Sequence, residues 1–369
     1  MSDNVIDFNK SKQKLINKKY PNVSPILPSK NEVNFVNTSK AFQQFQSIFY
    51  EYQENILNKD DDKRVTLEEV LVYFNRYFDE AYKETINYDL TKIPKFKEAL
   101  DYAMLSQGKR LRPFLIFIAY NFCGGDNHII LTPLMVAIEL IHTFSLVHDD
   151  LPCMDNDELR RGKPTVWKKY GEDIAVLVGD ALLMEANTLL TETVLEFAYT
   201  DIGAYVTTSA LLLLKLAGLD GMIAGQVYDV MNTQNKKLNL KDITYMYNKK
   251  TTALLTASLV IGFNMSAKYK KNVELIETLS SYIGESYQIK DDLLEVESTT
   301  EVIGKSVDSD KKNGKVTFVT LVGVEEAKKR LQMLYDAAMQ TIDIMAEDVS
   351  RKETKVFKDV VRYILNREK

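Results

Sequence analysis

The sequence is poor in cysteine, histidine, glycine and proline, and each shortage removes a class of protein. Two cysteines in 369 residues, Cys123 and Cys153, supply neither a disulfide framework nor a thiolate metal cage. Three histidines, His128, His142 and His148, exclude a His-rich metal centre. No Walker-type glycine loop appears, and no Gly-x-Gly fingerprint follows a strand-like run. A basic excess is missing as well: 47 Lys and Arg face 52 Asp and Glu, a formal net charge of −5. That balance argues against a nucleic-acid partner. The longest uninterrupted apolar runs, around Phe114 to Tyr120 and Leu211 to Leu214, fall short of the ~20 residues that span a bilayer, so no transmembrane segment is expected. Fifteen Gly and eight Pro are few for this length, and these are the costliest residues in a helix interior. The composition points to a mainly helical, cytoplasmic protein.

The first forty residues differ from the rest. They carry seven Lys against three acids and no Arg, with Pro21, Pro25 and Pro28 and little apolar periodicity. This reads as an extension, neither Arg-rich like an organellar transit peptide nor followed by a secretory apolar region. Phe42, Phe45, Ile48, Phe49, Tyr52 and Ile56 then recur at helical spacing. Thr66 with Glu69 forms a capping-box pattern ahead of Leu67, Val70, Leu71 and Phe74. Residues 1–65 are therefore taken as an N-terminal extension, flexible or partly helical, and residues 66–369 as one all-α domain without an internal linker.

Five acids fall within ten residues in His148-Asp149-Asp150-Leu151-Pro152-Cys153-Met154-Asp155-Asn156-Asp157-Glu158, at the end of an apolar helical pattern from Met135 to Val147. A helix C-terminus disfavours carboxylates, and their mutual repulsion adds to the cost. A cluster placed against both effects expects a cation, and oxygen-only ligands suit Mg²⁺. Pro152 supplies a break that can swing Asp155 back towards Asp149. A second acidic cluster, Gln288 to Glu295, contains Asp291 and Asp292 at another helix end. Alone, each cluster also reads as a solvated acidic segment; as a pair, they suit opposite sides of a helix bundle. The basic counterpart is Gly108-Lys109-Arg110-Leu111-Arg112-Pro113, with Pro113 expected at the first helical position, and Arg160-Arg161 follows the first acidic cluster. Lys249, Lys250, Lys305 and Lys315 extend this inventory, and guanidiniums and ammoniums together suit phosphate. Metal-binding carboxylates, phosphate-binding cations and apolar helices together fit the ionisation of a diphosphate ester of an apolar alcohol.

Gly108 to Pro113, Glu139 to His142, Asp149-Asp150-x4-Asp155 with Arg160-Arg161-Gly162, Gly179-Asp180, Gly225-Gln226-x-x-Asp229, Lys250-Thr251, Gln288-x-x-Asp291-Asp292 and Gly304-Lys305 occur in that order. The ordered set resembles the trans-isoprenyl diphosphate synthases, or polyprenyl synthetases, of the bacterial farnesyl/geranylgeranyl type. The resemblance implies an isoprenoid synthase bundle around a deep central pocket, usually a homodimer. It implies prenyl transfer from an allylic diphosphate to isopentenyl diphosphate, with about three Mg²⁺ per site. By the same resemblance Asp149, Asp155 and Asp291 would bind metal, and Arg160, Lys250 and Lys305 the allylic diphosphate. Lys109, Arg112, His142 and Arg161 would bind isopentenyl diphosphate, and Thr251 and Gln288 would line the path of the allylic carbocation. Phe144 and Ser145 would form the floor that sets chain length, which favours a farnesyl over a geranylgeranyl product. A terpene cyclase would not need the isopentenyl site, and a non-catalytic subunit would not need both acidic motifs. Three positions depart from the family pattern: Glu295 where Asp is frequent, and Asp308 and Thr252 where Gly is common.

Overall fold

A computed structural model describes residues 39–57, 65–106, 108–232, 235, 237–267, 273–297 and 316–366. Gly304, Lys305, Asp308 and Lys315 lie outside the described residues. The helices are α1 (Lys40–Asn55), α2 (Leu67–Thr85), α3 (Pro94–Leu105), α4 (Leu111–Phe122), α5 (Thr132–Asp149), α6 (Val166–Tyr170), α7 (Glu172–Phe197), α8 (Gly203–Ala217), α9 (Met222–Asn232), α10 (Leu240–Tyr247), α11 (Ala253–Met265), α12 (Val273–Glu297), α13 (Phe318–Val322), α14 (Val324–Met345) and α15 (Arg351–Asn366). A π-helical turn, Asn248–Thr252, joins α10 to α11, and the strands β1 (Leu159–Arg160) and β2 (Lys163–Pro164) form a small hairpin.

Hydrophobic pattern dictates position. In α11 every residue except Thr256 is buried, and α4 and α5 are nearly as enclosed. Helices apolar on all sides belong in an interior. α11 packs on α4 and α8, and α5 on α7. α15 instead buries one stripe, Val356, Phe357, Val360, Val361, Ile364 and Leu365. At the start of α2 the Thr66 side chain accepts the Glu69 amide at 3.2 Å and the Glu69 carboxylate accepts the Thr66 amide at 2.8 Å. This is the capping box that the sequence announces.

Two expectations need correction. The packed core does not begin at residue 66: α1 buries Phe42, Phe45, Phe49 and Tyr52. The Phe45 ring lies 5.3 Å from Phe74 and 4.9 Å from Phe117, and the Tyr52 hydroxyl bonds Asp359 on α15. Polar neighbours had masked an aromatic stripe large enough to join the core. The apolar helices are also longer than their uninterrupted apolar runs indicate. His128–Asp149, Glu172–Phe197 and Gly203–Asn232 each have the length and apolarity to cross a membrane. The first is mostly covered by neighbouring helices, with 72% of its apolar window buried; the other two are 39% and 33% buried.

Candidate active site

A cavity of about 750 Å³ takes residues from α5, α7, α9, the π turn and α12. The first acidic motif enters it from the end of α5. Beyond Asp149 the chain turns back, and the Asp155 amide donates to the Asp149 carbonyl at 2.9 Å. Asp149 and Asp155 thereby line the same cavity wall, as the break at Pro152 foretold. Asp150 is buried instead and grips Arg160, whose Nε lies 2.9 Å from Oδ2 and whose Nη2 lies 2.5 Å from Oδ1. A bidentate pair of this kind fixes the guanidinium plane. Arg161 and Gly162 form the two-residue turn of the β hairpin with φ of 53° and 74°, the double positive φ of a type I′ turn. The Arg161 guanidinium lies against Gly108, where an added Cβ would stand 2.4 Å from Nη1.

The second acidic cluster faces the same space. Gln288, Asp291, Asp292 and Glu295 all line the cavity, because positions three, four and seven apart share a helix face. Opposite, the π turn presents Lys250 and Thr251. A π turn inserts one extra residue per turn and re-aims side chains, a frequent device at functional sites. Lys250 Nζ meets Asp229 of α9 at 2.6 Å, and the Thr251 hydroxyl donates to Gln288 Oε1 at 2.8 Å. α9 comes this close because Gly225 has no side chain: a Cβ there would lie 2.2 Å from the Lys250 amide nitrogen.

At the basic end, α4 starts at Leu111 behind Arg110, whose φ of 47° caps the helix, so Pro113 is its third residue rather than its first. Arg110 is buried against Glu139 of α5 at 2.9 Å. Arg112 Nη1 lies 3.1 Å from His142 Nε2. Burial, with Arg112 next and Arg161 and Arg160 after it, holds His142 well below the usual imidazole pKa. The ring is therefore neutral, accepting from Arg112 through Nε2 and carrying its proton on Nδ1. Arg112, His142 and Arg161 line the cavity; Lys109 is not among its lining residues, and its ammonium sits 5.5 Å above the Tyr363 ring.

The remaining wall is apolar. Phe144 and Ser145 line it with Leu183, Met222 and Ile223. The Phe144 ring stands edge-on to His148 at 6.0 Å. Gly179 lets α7 close on that imidazole, since a Cβ there would lie 2.0 Å from Nε2.

The electrostatics favour a cation. Burial first, and Asp155 in addition, push Asp149 up to about 6 against the opposing pull of Lys250. Among the described residues no three His, Cys, Asp or Glu side chains already converge as a cage. The oxygen donors Asp149, Asp155 and Asp291 that line the cavity fit Mg²⁺, which takes one or two carboxylates alongside waters and substrate phosphates. Asp150, Asp229, Tyr247 and Asp292 were not assigned roles from sequence. Asp229 did carry a signal, the Gly225-Gln226-x-x-Asp229 spacing; the others emerge only once their partners are in place.

Comparisons with known proteins identify relatives of this chain. The sequence pattern described as "Polyprenyl synthetase" matches residues 93–351. Farnesyl diphosphate synthase of Bacillus subtilis is 38% identical over 246 residues, covering 67% of this chain and 81% of that protein. The Micrococcus luteus farnesyl diphosphate synthase is 37% identical over 281 residues, 74% and 90% of the two chains. A chloroplastic geranylgeranyl pyrophosphate synthase of Capsicum annuum is 39% identical over 67% of this chain and 65% of its own. Among solved structures, an FPP/GFPP synthase of Zymomonas mobilis superimposes with a TM-score of 0.69 at 31% identity, covering 81% and 98% of the chains. A Helicobacter pylori geranyltransferase complexed with magnesium and isoprenyl diphosphate gives 0.64 at 26% identity over 89% and 97%. The fold is that of the helical isoprenoid synthases, and the chain belongs to the polyprenyl synthetase family, a family of prenyltransferases of isoprenoid biosynthesis.

Proposed function

We propose that this chain joins isopentenyl diphosphate head to tail to dimethylallyl or geranyl diphosphate and releases mainly farnesyl diphosphate. One observation carries the reading: both carboxylate clusters, Lys250 and the Arg112–His142–Arg161 group line one cavity whose far wall is apolar. Asp149, Asp155 and Asp291 would hold Mg²⁺, about three ions, which when bound neutralises and orients the allylic diphosphate as its C–O bond breaks. Arg160 and Lys250 receive the departing diphosphate, each already positioned by a carboxylate, Asp150 and Asp229. Lys305 belongs to the same reading and lies outside the described residues. Arg112, Arg161 and neutral His142 hold isopentenyl diphosphate, and Lys109, outside the cavity lining, joins them by leaving the Tyr363 ring. The oxygens of Thr251 and Gln288 face the allylic cation, and the apolar wall keeps water from capturing it. The new carbon–carbon bond forms as the double bond of isopentenyl diphosphate attacks, and a proton then leaves to the released diphosphate.

Phe144 on the cavity wall favours a C15 product. The likeness to synthases named for geranylgeranyl pyrophosphate at 39% identity supports C20 as the second reading. A homodimer is part of the proposal, supported by Leu177, Met184 and Leu195 of α7 and Leu211 of α8, all more than half exposed; sedimentation velocity reads it. The chemistry is tested by incubating the full chain with Mg²⁺ and geranyl diphosphate, with and without isopentenyl diphosphate, and separating the dephosphorylated products. A C15 alcohol formed only with isopentenyl diphosphate supports the proposal. A cyclised hydrocarbon formed without it replaces the proposal with a cyclase, and no turnover with either substrate set contradicts a self-sufficient synthase.

A further inference from the structure

The two adjacent acids of the second cluster have different surroundings. Asp292 is 5% exposed. Its Oδ2 accepts the Tyr247 hydroxyl and, at 3.1 Å, the Phe318 amide, while its Oδ1 accepts Gln288 Nε2 at 3.2 Å. Phe318 N–H also reaches the Tyr247 oxygen at 3.0 Å. Gln288 in turn offers Oε1 to the Thr251 hydroxyl. The result is one chain of hydrogen bonds from the start of α13 through α10 and α12 to the π turn.

We infer that Asp292 is a positioning residue that fixes which end of the Gln288 amide meets Thr251 and the cavity. The carboxylate oxygens of Asp292 accept from three donors, two on Oδ2 and Gln288 Nε2 on Oδ1, so this arrangement takes the NH₂ end of Gln288 and leaves the carbonyl oxygen for Thr251. The inference rests on the elongation reading above: a carbonyl dipole turned towards developing positive charge stabilises it, and an inverted amide opposes it. Tyr247 and the Phe318 amide hold the carboxylate so that it does not swing towards the metal side beside Asp291.

An isosteric substitution isolates this role. In Asp292→Asn the Tyr247 hydroxyl donates to the remaining oxygen and the Phe318 amide shares that oxygen with the Tyr247 hydroxyl oxygen, so the new NH₂ group faces Gln288 and turns that amide over. The expected result is a fall in kcat of about tenfold or more, with KM for both diphosphates and the Mg²⁺ half-saturation unchanged. Adding Gln288→Glu supplies an acceptor to Asn and an oxygen to Thr251 together, so the double variant satisfies every donor and recovers most of the lost kcat. The double variant also answers the case in which Asp292→Asn alone does not fold. Wild-type kcat in folded Asp292→Asn overturns the inference, as does a raised Mg²⁺ half-saturation or a folded double variant without recovery. Should the wild-type chain itself form no carbon–carbon bond, the elongation reading fails, a result separate from any of these.

Discussion

Buried between Phe117, 4.5 Å away, and Tyr120, His128 is pushed down to about 4 by desolvation. Between that value and 6.5 the unfolded chain binds more protons than the folded one, so this residue makes stability fall as pH falls. Asp149, raised to about 6, acts with the opposite sign, since there the folded chain binds the extra proton. A His128→Phe chain should lose on the order of 2 kcal/mol less stability than wild type between pH 7 and pH 5, read by urea unfolding at both pH values; equal losses would refute the burial argument. Phe144 carries the prediction on product length. It precedes Asp149 by five residues, about 7.5 Å along α5. Room for another five-carbon unit is worth roughly 4 kcal/mol at ~0.8 kcal/mol per buried CH₂, while a rigid aromatic opposes entry through overpacking. Phe144→Ala should shift products towards C20 or longer while isopentenyl diphosphate remains a substrate; an unchanged C15 distribution removes Phe144 as the limit. The cavity positions of Asp149, Asp155 and Gln288 were legible from motif spacing, and that of Phe144 from the family resemblance. Asp292 and Asp150 were not, because spacing gave no sign that each turns to a distant donor, the Phe318 amide or the Arg160 guanidinium.

The helices themselves announce where the cavity lies. Apolar periodicity located α1, α2 and α3, and the Thr66–Glu69 box marked the start of α2. Membership of α1 in the core was hidden, since periodicity shows an apolar face without showing what covers it. The π turn at Asn248–Thr252 was also hidden, because one inserted residue barely disturbs a helical pattern. Its position depends on α9 approaching at Gly225. Gly225→Ala must push backbone apart, at a cost of about 1–3 kcal/mol, and separate Lys250 from Asp229. Thermal unfolding and elongation kinetics should show lower stability together with lower turnover. A variant with wild-type values in both would mean that the close approach is not required.

Across the whole molecule, opposite charges and apolar surface meet at a single cavity. Carboxylates reach it from α5 and α12, cations from the β hairpin, α4 and the π turn, and apolar side chains from α5, α7 and α9. The all-α architecture was legible because Gly and Pro are scarce and strand-like alternation is nearly absent. How these distant segments converge was legible only through the order of the motifs, which no periodicity encodes. In the proposed reaction the two acidic clusters bind the metal that ionises the allylic diphosphate. Elongation of geranyl diphosphate against Mg²⁺ concentration, for wild type and Asp149→Ala, tests it most directly. Wild-type turnover should depend on Mg²⁺, and Asp149→Ala should lose about 10²–10³-fold or more. Its circular dichroism and unfolding transition should survive, because the raised pKa means that the ionised Asp149 carboxylate costs the folded state stability at neutral pH. A folded Asp149→Ala chain that elongates at the wild-type rate and with the wild-type Mg²⁺ dependence would contradict the account.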